Sequence, residues 1–507
     1  MVTAVLGTGL AASTALASQA CGAVTPTSAD QASLQVQPSR LLRSAQAPLH
    51  LGFNLEWVPF QRDFWDIKES KPDPALARLM SVFPGAVYRY PGGTVSNFLD
   101  LAASLGPSDQ RQAQQPVTWT GPVPMHFGLA EYFEFVRAVR GTSWLILNVY
   151  GRRDKRWDIA QLKPAWAQIT SFAKTQQVPL RFELGNELYL PMYGLEADEY
   201  ASRAIEAAQF MRNQVPEVPV VALLADFDRP GRSKRDFNRP VLRRSAGLVS
   251  NFAQHSYYDG PPGGPPVPNR LREICRTISD AKGSGITNPT IWVTEHARWP
   301  GGRTSDPDWK NLWPKTHDLG AALGVADYVI GLSQMAPVRG AFLHSLAGTQ
   351  GPWPLMTRSS SGELIPSAVY RSLEVLLPMF GALDVHEAAT LATDSGYAGG
   401  YDLRATVSRD PISGTWHVFA VQRSSRPLPV SVRIPGLANQ LIRSEHRYIT
   451  GTTTADNNTA SSPQRIGVQT DSTNLQVDAS GMLSITLPPL SVNHLTLPDL
   501  AAGAQKP

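Results

Sequence analysis

Between residues 50 and 380 the chain alternates short apolar, β-rich runs with stretches of helical periodicity, and no other feature restricts its fold as much. The runs are Leu51–Trp57, Ala86–Tyr90, Trp144–Tyr150, Leu180–Leu184, Val218–Leu224, Phe252–Tyr257, Thr290–Thr294 and Gly340–Ser345. Between them, Gly128–Arg140, Lys163–Thr175, Ala197–Asn213, Leu271–Lys282 and His317–Met335 space their apolar residues as helices do. Strands that are apolar throughout, alternating with amphipathic helices, imply a parallel sheet covered by helices. Eight such units over this length predict an α/β fold, a closed (β/α)8 TIM barrel at residues 50–381. A doubly wound open sheet is the competing arrangement, but no GxGxxG follows an early strand.

Past Phe380-Gly381 the period changes to two, in TWHVFAVQ, LPVSVRIP, MLSITLP and VNHLTLP, with Gly, Asn, Ser and Pro turns between them. Residues 382–498 therefore read as an appended β-sandwich. Leu34–Gln37, within a linker at 25–49, is expected to add a strand to it, and 499–507 read as a disordered tail. Residues 1–24 are small, apolar and uncharged, like a secretory leader without its basic start. Ala15-Leu16-Ala17 and Ser18-Gln19-Ala20 both fit small-x-small cleavage, so export to the periplasm or the medium is the expectation. Lipid attachment through Cys21 is the minor alternative, because Ser18 stands where lipoprotein signals carry leucine.

Several partner classes drop out. With 46 Lys+Arg against 42 Asp+Glu, the net charge of +4 is too dilute to call for a nucleic acid without a concentrated patch. No strongly apolar run reaches spanning length. Two cysteines exclude both a disulfide framework and a Cys-rich zinc module.

Function in a barrel gathers at the C-terminal ends of its strands. The fourth run ends in Gly185-Asn186-Glu187 and the seventh in Glu295-His296, so two non-adjacent strands deliver carboxylates to one rim. Cleaving a glycosidic bond needs such a pair facing each other across an anomeric carbon. A metal site is disfavoured, since there is no HxH or HExxH, and no cofactor is called for. The other strand ends supply Arg89 to hold a carboxylate ionised, Gly93 in a Gly pair that lets backbone approach a sugar, and Thr94 beside it. They also supply Asn148 for a sugar hydroxyl, His255, Tyr257 to orient a carboxylate, and His344.

The ordered set resembles the clan of retaining glycosidases that place Asn-Glu after strand four and a second Glu after strand seven. Within it, Phe182-Glu183-Leu184-Gly185-Asn186-Glu187 and His255-Ser256-Tyr257-Tyr258-Asp259-Gly260 are similar to segments of the heparanase/β-glucuronidase family, glycoside hydrolase family 79. Leu188 and Thr294-Glu295-His296 depart from that family's pattern, and Arg89-Tyr90-Pro91-Gly92-Gly93 is similar to family 51 α-L-arabinofuranosidases, which share the barrel-plus-sandwich plan. The resemblance implies double displacement with Glu187 as acid/base, Glu295 as nucleophile, Arg89 and Tyr257 holding Glu295 anionic, and Asn186 on the sugar 2-hydroxyl.

The leading expectation is thus a retaining hydrolase of an oligo- or polysaccharide containing uronic acid. The alternatives are an arabinofuranosidase-like exo-enzyme and a non-catalytic carbohydrate-binding protein. Basic clusters at Arg152, Arg153, Lys155, Arg156 and at Arg229, Arg232, Lys234, Arg235, Arg239, Arg243, Arg244 are expected beside the mouth, where they would attract an acidic glycan. Trp57, Trp157, Trp299, Trp309 and Trp313 are candidate stacking platforms in rim loops, with burial under those loops as the competing reading.

Overall fold

Eight parallel strands close on one another in chain order, the last pairing with the first. In the computed structural model, which describes residues 23–27, 31–115, 121–226, 233–394 and 396–498, they are β1 (His50–Asn54), β2 (Val87–Tyr90), β3 (Thr142–Leu147), β4 (Leu180–Leu184), β5 (Val220–Leu223), β6 (Asn251–Tyr258), β7 (Thr290–Arg298) and β8 (Val338–Leu343). Residues 1–22 of the leader, with Cys21, and the tail lie outside the described residues. No helix among those residues is long and apolar enough to cross a membrane.

The barrel is filled rather than hollow. Trp144 on β3 and Trp292 on β7 come from opposite walls, yet their rings lie 5.0 Å apart, and Phe342 on β8 meets Trp144 at 4.9 Å. Glycines make the room. A Cβ on Gly52 would stand 2.1 Å from the Phe342 ring, and one on Gly340 would stand 2.6 Å from Trp292. Above this aromatic floor the outer ends of the strands are left for polar side chains.

The helices form where capping and apolar spacing agree. Asp73 accepts from the Ala75 and Leu76 amides ahead of Pro74–Met80, with Pro74 pre-set for the first turn. Helix Leu319–Ser333 is buried at every position, because it lies between the barrel and the C-terminal sheet. Two features depart from the sequence reading. The first run ends in a helix, Trp57–Phe64, which buries Trp57 completely and removes it from the rim. Helix Lys234–Ser245 has no counterpart in the reading, since Lys234, Arg235, Arg239, Arg243 and Arg244 leave it little apolar signal.

The C-terminal unit is a ten-stranded sheet folded over an apolar core of its own. Two segments from ahead of the barrel join it: Thr25–Pro26, parallel to Asp384–Ala392, and Ala32–Arg43, a strand longer than the sequence suggested. This strand lies antiparallel to Asp384–Ala392 and parallel to Leu428–Arg433. Phe419, Val421, Ile449 and Val492 turn the other way and join the barrel's core. A polar knot fixes the same contact. Asp327 of helix Leu319–Ser333, 0% exposed, accepts from Tyr401 at 2.9 and 2.8 Å, from Arg404 and from Arg423 Nη2 at 2.7 Å.

Removing one member of a buried ion cluster strands the others. Asp327→Ala should therefore lower unfolding stability by about 3–5 kcal/mol in a urea titration. An unchanged transition midpoint would show that the knot contributes nothing.

Candidate active site

The site is built from the outer ends of the barrel strands around Arg89, which is 0% exposed. All five guanidinium hydrogens are used. Nε and Nη2 donate to Glu183 at 2.8 and 2.9 Å. Nη1 donates to Asn54 at 2.8 Å and to Glu295 Oε1 at 2.7 Å. Nη2 also donates to Asn186 Oδ1 at 2.7 Å. Glu183 is fixed in turn by Trp144 Nε1 at 2.6 Å and the Thr294 hydroxyl at 3.2 Å.

Glu295 reaches this cluster through an irregularity in its strand. In the pairing of β6 with β7, Gln254 faces Val293 but His255 faces Glu295, so Thr294 is the extra residue of a bulge. A bulge re-aims the side chain that follows it. Here Glu295 faces inward directly after Thr294, and His296 turns outward against Tyr258 and Tyr328. The Tyr257 hydroxyl donates to Glu295 Oε2 at 2.9 Å, and His344 Nδ1 lies 3.7 Å from the same oxygen.

Glu187 occupies the loop after β4 with φ +46°, in the left-handed region. Asn97 clamps that loop, accepting from the Asn186 amide at 2.9 Å and donating to the Asn186 carbonyl at 2.6 Å. Glu187 Oε1 lies 2.8 Å from His255 Nδ1 and accepts from the Tyr189 hydroxyl at 3.2 Å. His255 Nδ1 is also 3.5 Å from Glu295 Oε2. Oxygens of Glu187 and Glu295 and a nitrogen of His255 all lie within 4.8 Å of one another. Such a triad has cation-binding donors, but Arg89 and Tyr257 occupy the two oxygens of Glu295, and Glu187 occupies Nδ1.

Charge is distributed accordingly. Burial opposes ionisation of Glu295, yet His255, His344, Arg89 and the Tyr257 hydroxyl together bring it down to about 2. Burial likewise opposes a charged His255, but Glu295 and the bond to Glu187 lift it to about 9. Asn186 Nδ2 is buried without a protein partner among the described residues, a donor available to a ligand.

The structure thus brings together Arg89, Asn186, Glu187, His255, Tyr257, Glu295 and His344. Gly93 and Thr94 flank them. Gly93 has φ +48°, and a Cβ there would lie 3.2 Å from Glu56 Oε1. Asn148 does not join the cluster as a sugar ligand. Its amide donates to Leu99 and Gly151 carbonyls at 3.2 and 2.6 Å and its oxygen accepts from the Tyr150 and Gly151 amides, both at 2.9 Å, so it closes its own loop.

Several site residues escaped the sequence reading. Glu56, at the end of the first run, faces His344 Nε2 at 3.5 Å. Burial raises its carboxyl above the usual range, with Glu295 adding to the effect and His344 and Arg89 opposing it. Its position at a strand end was the available signal. Asn54 and Glu183 carried none beyond polarity inside apolar runs, and Asn97 lies in none of those runs. Trp353 was also missed. It contacts Tyr257, His344 and Trp299 at 5.4, 5.0 and 5.6 Å, forming an aromatic wall continued by Trp309 and Trp313. Trp157 instead lies under Arg152.

Part of each basic cluster is paired with a carboxylate or lies away from the mouth. Arg152, Arg156 and Arg235 pair with Asp100, Glu199 and Asp280 at 3.8, 2.9 and 3.0 Å. Arg235, Arg239 and Arg243 line a groove of about 510 Å³ on the barrel's outer wall, between helices Lys234–Ser245 and Val267–Gly283. Arg229 and Arg232 lie outside the described residues.

No protein-family model matches the chain. A curated relative, the intracellular exo-α-(1→5)-L-arabinofuranosidase of Streptomyces lividans, is 26% identical over 191 residues. The match spans 34% of this chain and 28% of that protein. Among solved structures, the arabinose complex of the Thermotoga maritima α-L-arabinofuranosidase superposes with a TM-score of 0.74 at 18% identity, over 92% of this chain and 100% of that one. The family 51 α-L-arabinofuranosidase of Bifidobacterium longum gives 0.73 at 15% identity, over 93% and 100%. The fold, a closed parallel barrel with a C-terminal sheet, is shared with these α-L-arabinofuranosidase structures over 92–93% of this chain.

The environment of His255 makes a titration prediction. Its imidazole should keep its charge through pH 8 and lose it only as the pH rises through about 9. In Glu295→Gln the midpoint should fall back toward the ordinary histidine value. ¹⁵N shifts of the ring read both, and a neutral ring at pH 7.5 in the unsubstituted protein would contradict the assignment.

Proposed function

We propose that the protein is a retaining glycoside hydrolase that cleaves α-L-arabinofuranosides. The observation that carries the reaction type is the approach of Glu187 and Glu295 to within 4.8 Å. Retaining enzymes hold their carboxyls about 5–5.5 Å apart, whereas inverting ones leave about 6.5–9.5 Å for a water. The arabinofuranosidase names of the sequence relative and of the superposed structures favour this sugar over the uronic acid expected from the heparanase-like segments. A non-catalytic carbohydrate-binding role has no use for two carboxyls brought this close together at the strand ends.

Glu295, held ionised by Arg89 and Tyr257, is the nucleophile that attacks the anomeric carbon. Glu187 is the acid that protonates the departing oxygen. Its Oε1 receives the bonds of His255 and Tyr189, so Oε2 carries the proton that is transferred. Once Glu295 is esterified its negative charge is gone, and Glu187 takes a proton from the water that releases the sugar. Asn186 Nδ2 is placed to bond the 2-hydroxyl, a contact that strengthens as positive charge develops on the ring. Export remains part of the proposal and rests on residues 1–24.

A panel of aryl glycosides (α-L-arabinofuranoside, β-glucuronide, β-glucoside, β-xyloside) tests the sugar; turnover of the glucuronide alone would overturn the arabinofuranoside reading. Glu295→Ala should lose about 10³-fold or more in kcat on every substrate cleaved. Glu187→Ala should lose about 10²–10⁴-fold on a poor leaving group, much less on a 2,4-dinitrophenyl glycoside, and regain turnover with azide. Full activity of either variant would remove its residue from the mechanism.

A further inference from the structure

The basic cluster on helix Lys234–Ser245 takes no part in the mechanism above. Arg235, Arg239 and Arg243 stand four residues apart, so they share one face of that helix at intervals of about 6 Å. With helix Val267–Gly283 this face forms a groove of about 510 Å³, a volume that suits a small molecule or a few linked rings. Helix Val267–Gly283 leads into the start of β7. Gly283 and Ser284, which line the groove, therefore lie toward the end of the barrel opposite the catalytic residues.

The charge in this groove is not balanced. Arg235 is held by Asp280 through two bonds of 3.0 and 3.2 Å. Arg239 and Arg243 are exposed, and neither makes an ion pair or a side-chain hydrogen bond with any described residue. Like charges one turn apart on a helix repel each other. The packing does not ask for them, since Phe237, Val241 and Leu242 are the buried apolar side chains of this helix. A bound anion would relieve the repulsion.

We propose that the groove is a second binding site, for a polysaccharide that carries uronic acid carboxylates. A guanidinium offers a carboxylate two parallel N–H groups, and two unpaired guanidiniums a turn apart match a chain that repeats its carboxylates. Ser279 and Ser284 place hydroxyls on the opposite wall, where sugar hydroxyls find partners. Ser284 Oγ donates to the Asp280 carbonyl at 2.8 Å and keeps its lone pairs. Other polyanions fit less well. No aromatic side chain is among the described residues that line the groove, so nucleic acid bases find nothing to stack on. No exposed large apolar side chain lines it either, so it has no wedge for a bilayer.

The choice of a glycan rests on the glycosidase reading, whereas the choice of an anion rests on the groove itself. A polymer held on the outer wall raises the local concentration of its own arabinofuranosyl branches at the mouth. The groove thus names the carrier of the sugar: an acidic backbone with neutral branches.

The probe is polygalacturonate, compared with neutral dextran by affinity gel electrophoresis of the full chain. Polygalacturonate should retard the protein and dextran should not, and the retardation should fade as salt rises, because exposed charges are screened. Arg239→Gln/Arg243→Gln should weaken this binding by about tenfold or more. Arg78→Gln/Arg443→Gln removes the same charge from exposed positions elsewhere, and should leave the affinity within about twofold. Both double variants should keep the kcat/KM of the unsubstituted protein on an aryl α-L-arabinofuranoside. Saturating polygalacturonate should leave that turnover unchanged as well.

No retardation at low salt, or equal weakening in the groove and control variants, overturns the proposal. So does groove-dependent binding of duplex DNA or of phosphatidylglycerol vesicles that is tighter than that of polygalacturonate. Competitive inhibition of aryl glycoside turnover by the polymer would put it in the catalytic cleft and overturn the proposal too. If no arabinofuranoside is turned over while groove-dependent binding of polygalacturonate persists, the proposed sugar falls and the second site stands. Turnover of the arabinofuranoside without such binding ends this inference alone.

Discussion

The Arg89 guanidinium is buried at the centre of the site with each of its five N–H groups bonded, and every other polar group around it takes its position from that arrangement. A buried cation without partners would be prohibitively costly, and a single carboxylate would leave donors unsatisfied. Glu183 on β4 supplies a two-point clasp, Glu295 on β7 a charge, and Asn54 on β1 and Asn186 just past β4 neutral acceptors. Four strands are thereby tied at their outer ends. Glu295 cannot turn without leaving Arg89 unsatisfied, which is what fixes a nucleophile's direction before any sugar arrives.

The barrel was legible because its strands are apolar on both faces and its helices on one, a contrast that survives in sequence. The ends of runs four and seven gave Glu187 and Glu295 for the same reason: a carboxylate closing an apolar run is conspicuous. What was not legible depends on three-dimensional contact. Glu183 looks like a polar interruption of a strand until Arg89, Trp144 and Thr294 surround it. Thr294 gives no sign that it is the extra residue of a bulge. Asn148 has the right residue type in the right place, but its loop uses every bond it can make. Trp57 was misplaced because an apolar run can pass from strand into helix without a change in composition.

The accessory sheet is not a passive appendage. Arg423 from that sheet bonds Asp327 at 2.7 Å and also Asp259 at 2.9 Å, and Tyr397 bonds Asp259 at 2.6 Å. Asp259 directly follows β6, two residues beyond Tyr257. The strand that presents the Tyr257 hydroxyl to Glu295 is therefore anchored, at its outer end, by a different folding unit. That placement explains why so much charge is buried at the contact between the units, where apolar packing alone would have sufficed for adhesion.

The strand Ala32–Arg43 precedes the barrel yet hydrogen-bonds residues 384–392 and 428–433, which follow it. On a ribosome this segment emerges ahead of the barrel and waits for all of it before either neighbour exists. Throughout that interval a twelve-residue strand with open edges is exposed to other nascent chains. Truncation between the barrel and residue 384 would make the exposure permanent, so the unit of biosynthetic success extends past the catalytic barrel into the sheet that follows it.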